Sequence, residues 1–378
     1  MKSFLFAIPT PIYFGDECVP KHADLIGSFG KRAYIITSRF VQGCPNYALE
    51  DIEQILKDKS IAYEVFMDVE ENPPLQSVPV LTKKVKEFAP DFLIGIGGGS
   101  PLDMTKAVSV LLPRINEDPV DVFYGNGMPY DKTTSEGSLP VIAIPTTAGS
   151  SSEVTGFAVL TREDTQTKLA MCQKVFVNVA FLDARYIRHS PAYLLHTGTL
   201  DALAHGAETY VNINSNFMNR SIAEIGFKLF SEFKDNMLND RLTDQDYEKM
   251  ILASNIQGMA FMQAGTCLPH GMSYPLSHYK HMSHGLACGI LLGEYLKAFK
   301  DQSIVQPIVT LCGFKDSDAF ADYIKQIAKK DVKIQVTKEE INQWAREFCS
   351  LDFRLAKHPE PIGIKEITQI YEQALLDL

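Results

Sequence analysis

Two hydrophobic rhythms divide the chain. Up to about residue 190, short apolar runs at 32–37, 62–66, 91–96 and 139–144 read as buried parallel strands. Amphipathic stretches at 47–57 and 78–88 lie between them, which predicts βαβ units and a parallel sheet with helices on its faces. The opening MKSFLFAIPTPIYFG is apolar but is interrupted by Pro9 and Pro11, with no small-residue cleavage site after it. It reads as an edge strand and not as a signal peptide. Beyond residue 190 strand-like runs are essentially absent. A 3.6-residue period instead recurs over 197–212, 217–238, 245–264, 283–300, 317–329, 338–350 and 363–377, predicting a helical domain. The change of grammar near 183–191 gives an α/β domain over 1–185 and an all-α domain over 186–378. Neither half contains a repeat or a low-complexity segment.

Composition narrows the function. A chain of 378 residues is too long for one simple core, and 46% hydrophobic with 22% charged residues is the profile of a folded chain. The net charge of −10 repels a phosphate backbone, which excludes bulk nucleic-acid binding. Small phosphate ligands stay open, because a local nest of backbone N–H groups works against the global field. No apolar run reaches the roughly 18 residues of a spanning helix, so no membrane partner is expected. The seven cysteines (18, 44, 172, 267, 288, 312 and 349) are odd in number, widely spaced and free of C-x-x-C. They read as reduced, packed thiols of a cytoplasmic protein.

Chemistry appears first where a predicted strand runs into Gly95-Ile-Gly-Gly-Gly-Ser100 and then into a helix. Glycines let a backbone approach a ligand closely, and the helix start presents unpaired N–H groups that suit a pyrophosphate. Ser100 is the N-cap candidate, Pro101 fits the first helical position and Asp103 falls in the first turn. The stretch nearly matches the dinucleotide fingerprint, with Ser100 in the place of its third glycine. A second loop, Pro145 to Thr155, follows another apolar strand and is dense in hydroxyls and small residues. Two such loops at strand C-termini fit ligand binding at the mouth of an open α/β sheet.

The helical half carries the metal chemistry. Asp201 and His205 stand four apart, so both project from one helix face, with Ala202, Leu203 and Ala204 between them. A buried carboxylate is costly unless something keeps it ionised, and a metal does so. Downstream lie His270, His278, His281 and His284. One carboxylate and three imidazoles suit Fe(II), Zn(II), Co(II) or Mn(II). Spacing alone leaves open which of His278, His281 and His284 is the third imidazole.

With GGGSPLDMTKA, PTTAGSSSEVT, DALAHGAE and SHG in this order, the sequence resembles the iron-containing, group III metal-dependent alcohol dehydrogenases. The likeness runs through nearly the whole chain, and the propanediol, butanol and lactaldehyde–propanediol dehydrogenases belong to that family. The resemblance implies a Rossmann-like, dehydroquinate-synthase-like dinucleotide-binding domain, a helical catalytic domain and an active site in the cleft between them. It implies Asp201, His205, His270 and His284 as metal ligands, His284 being chosen because it precedes Gly285. It also implies Gly97, Gly98, Gly99 and Ser100, with Asp103 in the same motif, as the pyrophosphate loop. Thr146, Thr147, Ser150 and Thr155 line the nicotinamide half, and Asn72 and Lys168 match further cofactor contacts. The resemblance further implies Fe(II) as the cation, with Zn(II) as the alternative, and a homodimer or larger assembly.

Two positions depart from the family pattern. Tyr274 stands where many members have a proton-relay histidine; a phenol with an ordinary pKa near 10 is a poorer shuttle, so His278 or water is the alternative. The chain reads Ile36-Thr-Ser38-Arg39 where NAD-preferring members often have an aspartate for the ribose 2′-hydroxyl, which favours NADP(H) over NAD(H). The expected reaction is reversible hydride transfer between a nicotinamide and a small primary alcohol, diol or aldehyde. A dehydroquinate-synthase-like or glycerol-dehydrogenase-like enzyme is the first alternative, and the apolar Met259, Phe261 and Met262 count against the cyclase. The second alternative is a non-catalytic nucleotide- and metal-binding protein.

Overall fold

The computed structural model describes residues 3–39, 44–125, 138–164, 167–332, 334–350, 355–376 and 378. It divides into two compact units. One comprises Ile8–Thr147 and Ser151–Ser190; the other comprises Ala148–Ser150 and Pro191–Leu378, with the opening residues up to Ala7.

The first unit is built on strands β1 (Ile12–Phe14), β2 (Arg32–Thr37), β3 (Ala62–Phe66), β4 (Phe92–Gly97), β5 (Val141–Pro145), β6 (Val159–Arg162), β7 (Thr167–Ala170) and β8 (Val179–Leu182). Six of them form one sheet in the order β1-β8-β5-β4-β2-β3, with every neighbouring pair parallel. Of the opening segment, only Ile12–Phe14 forms the predicted edge strand; the described residues 3–11 before it are not in a strand. β4 and β5 are buried at every position, which is why they read as unbroken apolar runs. β5 starts at Val141 and not at 139, because Pro140 has no N–H to give the ladder. The helices are α1 (Cys18–Lys21), α2 (Ala23–Gly27), α3 (Tyr47–Asp58), α4 (Ser77–Phe88), α5 (Gly99–Leu111) and α6 (Pro119–Tyr124). Asn46 starts α3 by accepting from the Leu49 N–H. Absent from the sequence reading are β8 and the β6–β7 hairpin, a separate antiparallel pair.

The second unit has no strand among its described residues. Its helices are α7 (Ala192–Val211), α8 (Phe217–Leu238), α9 (Asp244–Ala264), α10 (Leu268–Met272), α11 (Tyr274–Tyr279), α12 (His284–Lys297), α13 (Gln306–Leu311), α14 (Ser317–Asp331), α15 (Lys338–Cys349) and a last one, Ile364–Leu375. The last predicted span, 363–377, stops at Leu375, and residue 377 lies outside the described residues. Reciprocal capping boxes at Asn216/Asn219, Thr243/Asp246 and Thr337/Glu340 fix where α8, α9 and α15 begin. α7 is enclosed by α8, α9 and α12 and is buried along most of its length, so it forms the axis of the unit. Among the described residues no helix is long and apolar enough to cross a membrane.

Candidate metal centre and dinucleotide turn

α7 presents Asp201, His205 and Glu208 on one face, at spacings of four and three residues. His284 is brought to that face by a glycine. A Cβ on Gly285 would lie 2.2 Å from the Thr197 carbonyl oxygen and 2.7 Å from the Asp201 Cβ, so only glycine lets the first turn of α12 close against α7. His270 comes from the short helix α10. The Nε2 atoms of His205, His270 and His284 lie 4.0, 3.5 and 4.0 Å from Asp201 Oδ1. His205 and His270 stack with ring centres 4.5 Å apart, and Phe261 covers the other face of His205 at 4.2 Å. Of the three downstream candidates left open by spacing, His284 is the one beside Asp201; His278 and His281 are exposed.

The cluster contains buried polar atoms without hydrogen-bond partners: Asp201 Oδ1, His205 Nδ1 and His270 Nε2. Asp201, His205 and His270 are 7, 6 and 9% exposed. Such orphans are costly and call for a missing partner. Donor atoms bound to one ion through bonds of about 2.1 Å stand roughly 3–4 Å apart, and the carboxylate–imidazole separations match that spacing. Electrostatics point the same way. Burial alone would raise the Asp201 pKa, but His205, His270 and His284 outweigh it and hold this carboxyl well below the usual range. Burial lowers His205 to about 4, so its imidazole is neutral and keeps a lone pair to donate. Burial works against a charged His270 too, yet Cys288, Glu208 and Asp201 raise its pKa well above the ordinary value.

Two residues of this pocket are absent from the sequence reading as site residues. Glu208 is fully buried; it accepts from His270 Nδ1, from the Cys267 N–H at 2.7 Å and from the His270 N–H at 3.4 Å. It fixes the ring so that Nε2 points towards Asp201, as an outer carboxylate does for a ligating histidine. The signal was available, since Glu208 lies seven residues after Asp201 on the same helix face. Cys288 follows His284 by one turn of α12 and is fully buried. Tyr274 opens α11 and His278 lies in its last turn, with the His278 ring 4.7 Å from that of Tyr279.

In the α/β unit, β4 ends at Gly97 with φ of 142°, and a Cβ there would meet Pro101 Cγ at 2.7 Å. The helix start differs from the sequence reading. Gly98 is the N-cap of α5, and Ser100 and Pro101 already lie inside the helix. Ser100 Oγ is used elsewhere, accepting the Asn72 N–H at 3.0 Å. Asp103 also lies beyond the first turn; its carboxylate accepts from Ser152 Oγ at 2.5 Å and from the Val159 N–H at 2.8 Å, tying α5 to β6. Asn72 has φ of 54°; its side-chain oxygen accepts from Lys168 Nζ and its carbonyl from Thr161 Oγ1, both at 2.8 Å. Asn72, Ser100, Thr161 and Lys168 thus form one network, of which sequence reasoning had missed Thr161. Thr146 donates its N–H to the Gly97 carbonyl at 3.0 Å, which sets Thr146 and Thr147 beside the glycine turn. The Thr155 carbonyl accepts from the buried Lys106, whereas Ser150 belongs to the helical unit. Ser38 Oγ donates to the Val69 carbonyl at 2.9 Å, and Arg39 pairs with Asp68 at an exposed position.

A Rossmann-like parallel sheet with a glycine turn, followed by an all-helical unit with a buried carboxylate–imidazole cluster, defines the class of two-unit dinucleotide-fold proteins. Comparison with known proteins supplies the family. Residues 9–184 match the family model described as iron-containing alcohol dehydrogenase, and residues 195–375 match that of the Fe-containing alcohol dehydrogenase C-terminal region. The chain belongs to the iron-containing alcohol dehydrogenase family. It is 30% identical to the solved iron-containing alcohol dehydrogenase of Thermotoga maritima, covering 99% of both chains with a TM-score of 0.86. It is 26% identical to the NADPH-dependent butanol dehydrogenase of Clostridium saccharobutylicum over 91% of this chain and 88% of that protein. It is 31% identical over 297 residues to the bifunctional aldehyde-alcohol dehydrogenase of Escherichia coli; that match takes in 77% of this chain and about a third of the relative, 33%.

Proposed function

We propose that the protein is a metal-dependent alcohol dehydrogenase and aldehyde reductase, transferring hydride between a small primary alcohol or diol and NADP(H). One observation carries the reading: a buried carboxylate and three imidazoles converge within 4.0 Å of Asp201 Oδ1, with Asp201 Oδ1 and His270 Nε2 lacking hydrogen-bond partners. Asp201, His205, His270 and His284 would hold the cation, Fe(II) in preference to Zn(II). A divalent ion with one anionic and three neutral ligands keeps a net positive charge and makes a nearby hydroxyl easier to deprotonate. Glu208 keeps the His270 Nδ1 proton in place and so directs Nε2 inward. Phe261 lies against His205 and excludes water from that face. Tyr274 and the exposed His278 pass the hydroxyl proton towards solvent.

The α/β unit holds the nicotinamide cofactor, which carries the hydride. The N–H groups at Gly97, Gly98, Gly99 and Ser100 take the pyrophosphate, supported by the start of α5. Asn72, Lys168, Thr146, Thr147, Ser150 and Thr155 take the remaining cofactor contacts. Ser38 and Arg39 at the end of β2 support NADP(H), since an exposed pair such as Arg39–Asp68 is weak and a doubly charged 2′-phosphate competes for the guanidinium. The butanol dehydrogenase relative, named for NADPH, agrees with this choice. We place the enzyme in the cytoplasm, as a homodimer or larger assembly. The test is an anaerobic assay of iron-loaded protein with NADPH or NADH across short aldehydes, read at 340 nm. Aldehyde-dependent oxidation of NADPH supports the proposal; retained metal and cofactor with no turnover on any aldehyde refutes it.

A further inference from the structure

We infer that Cys288 is a fifth donor of the metal pocket, coordinating a soft divalent cation as a thiolate beside Asp201, His270 and His284. The inference rests on the metal-site reading above and adds a residue to it. A buried cysteine is usually packing, and the spacing of Cys288 in the sequence suggests no more. Its surroundings are those of a ligand. Cys288 Sγ lies 3.8 Å from both Nδ1 and Nε2 of His284, its neighbour one turn earlier on α12. One donor atom from each of Asp201, His270, His284 and Cys288 falls within 4.8 Å of all the others. That group shares three members with the carboxylate–imidazole set and has the thiol where the other has His205. The orphaned Asp201 Oδ1 and His270 Nε2 belong to both, and their residues are more than nine-tenths buried.

A thiolate changes what the pocket selects. Carboxylate and imidazole accept Fe(II), Mn(II), Co(II) and Zn(II) alike, whereas sulfur favours the softer of these. Cys288 therefore tilts the site away from manganese and towards iron, cobalt and zinc, its proton passing to solvent as the bond forms. The residue sharpens metal selectivity, and the alcohol chemistry remains that of the other four.

The test loads the full-length protein with Co(II) and records its absorption, alongside the Cys288→Ser and Cys288→Ala variants. A near-ultraviolet sulfur-to-cobalt charge-transfer band in the wild type, lost in both variants, is expected. Zinc affinity should fall about tenfold in Cys288→Ser while manganese affinity is unchanged, a selectivity that loss of packing would not produce. X-ray absorption on the wild-type zinc form needs no variant and should find one sulfur neighbour at about 2.3 Å. Cobalt that binds with the same spectrum in all three proteins, or zinc without a sulfur neighbour, overturns the fifth donor and leaves the four-donor site standing. Failure of cobalt to bind at all overturns both.

Discussion

At the scale of single residues, the pocket is organised by a carboxylate that stands behind His270 and not among the four proposed ligands. Glu208 takes three N–H groups from the Cys267–His270 segment and thereby sets the direction of the His270 ring. Glu208→Gln keeps the size and removes the charge. Metal affinity measured by chelator competition should fall between about 10- and 100-fold, with the helical content intact. An unchanged affinity would reduce Glu208 to a loop fastener. On the proposal that Ser38 takes the place of the acid that reads a ribose 2′-hydroxyl, Ser38→Asp should move preference towards NADH in the ratio of kcat/KM values. No movement would mean that the 2′ position is read by other residues. The four ligand candidates were legible because Asp201 and His205 share a helix face. The choice of His284 over His278 and His281 needed family likeness, since nothing in the spacing shows which of them points inward. Glu208 shares the helix face of Asp201 and was legible on that ground, whereas Cys288 looks like an ordinary helix residue in sequence and gains a role only from its burial against imidazoles.

At the scale of elements, the seam between α7 and α12 brings His284 to Asp201. Gly285→Ala would drive a Cβ into the Thr197 carbonyl and force α12 outward. The expected cost is roughly 1–3 kcal/mol of stability in denaturant unfolding. Bound metal should fall in the same variant, because His284 moves with the helix. A variant with wild-type metal content would show that the seam does not position the ligand. Long amphipathic helices were readable to within a few residues, since one periodic face supplies many signals. α7 begins at Ala192, earlier than its periodicity suggests, because burial on most sides erases an amphipathic stripe. β8, with four residues, and the β6–β7 hairpin are too short to show a period. The start of α5 was misread for a different reason. Ser100 has the chemistry of a cap, but Gly98 already opens the helix and the serine hydroxyl serves Asn72.

At the scale of the whole molecule, an acidic chain with free thiols and no spanning helix among its described residues carries a neutral-to-basic requirement at its centre. His270 holds its proton well above the ordinary imidazole value, and a cation binding Nε2 must displace that proton. Metal affinity should therefore rise with pH through neutrality, about tenfold per unit for one proton displaced, and fall on acidification. Isothermal titration in buffers of different ionisation enthalpy counts that proton; a pH-independent affinity would contradict the assignment of His270. The most direct test of the central claim is to measure metal content, activity and anomalous scattering on one anaerobically prepared sample. One divalent ion per chain is expected, bonded to Asp201, His205, His270 and His284, with turnover proportional to occupancy. Full turnover in protein whose Asp201–His284 pocket holds no ion would contradict it.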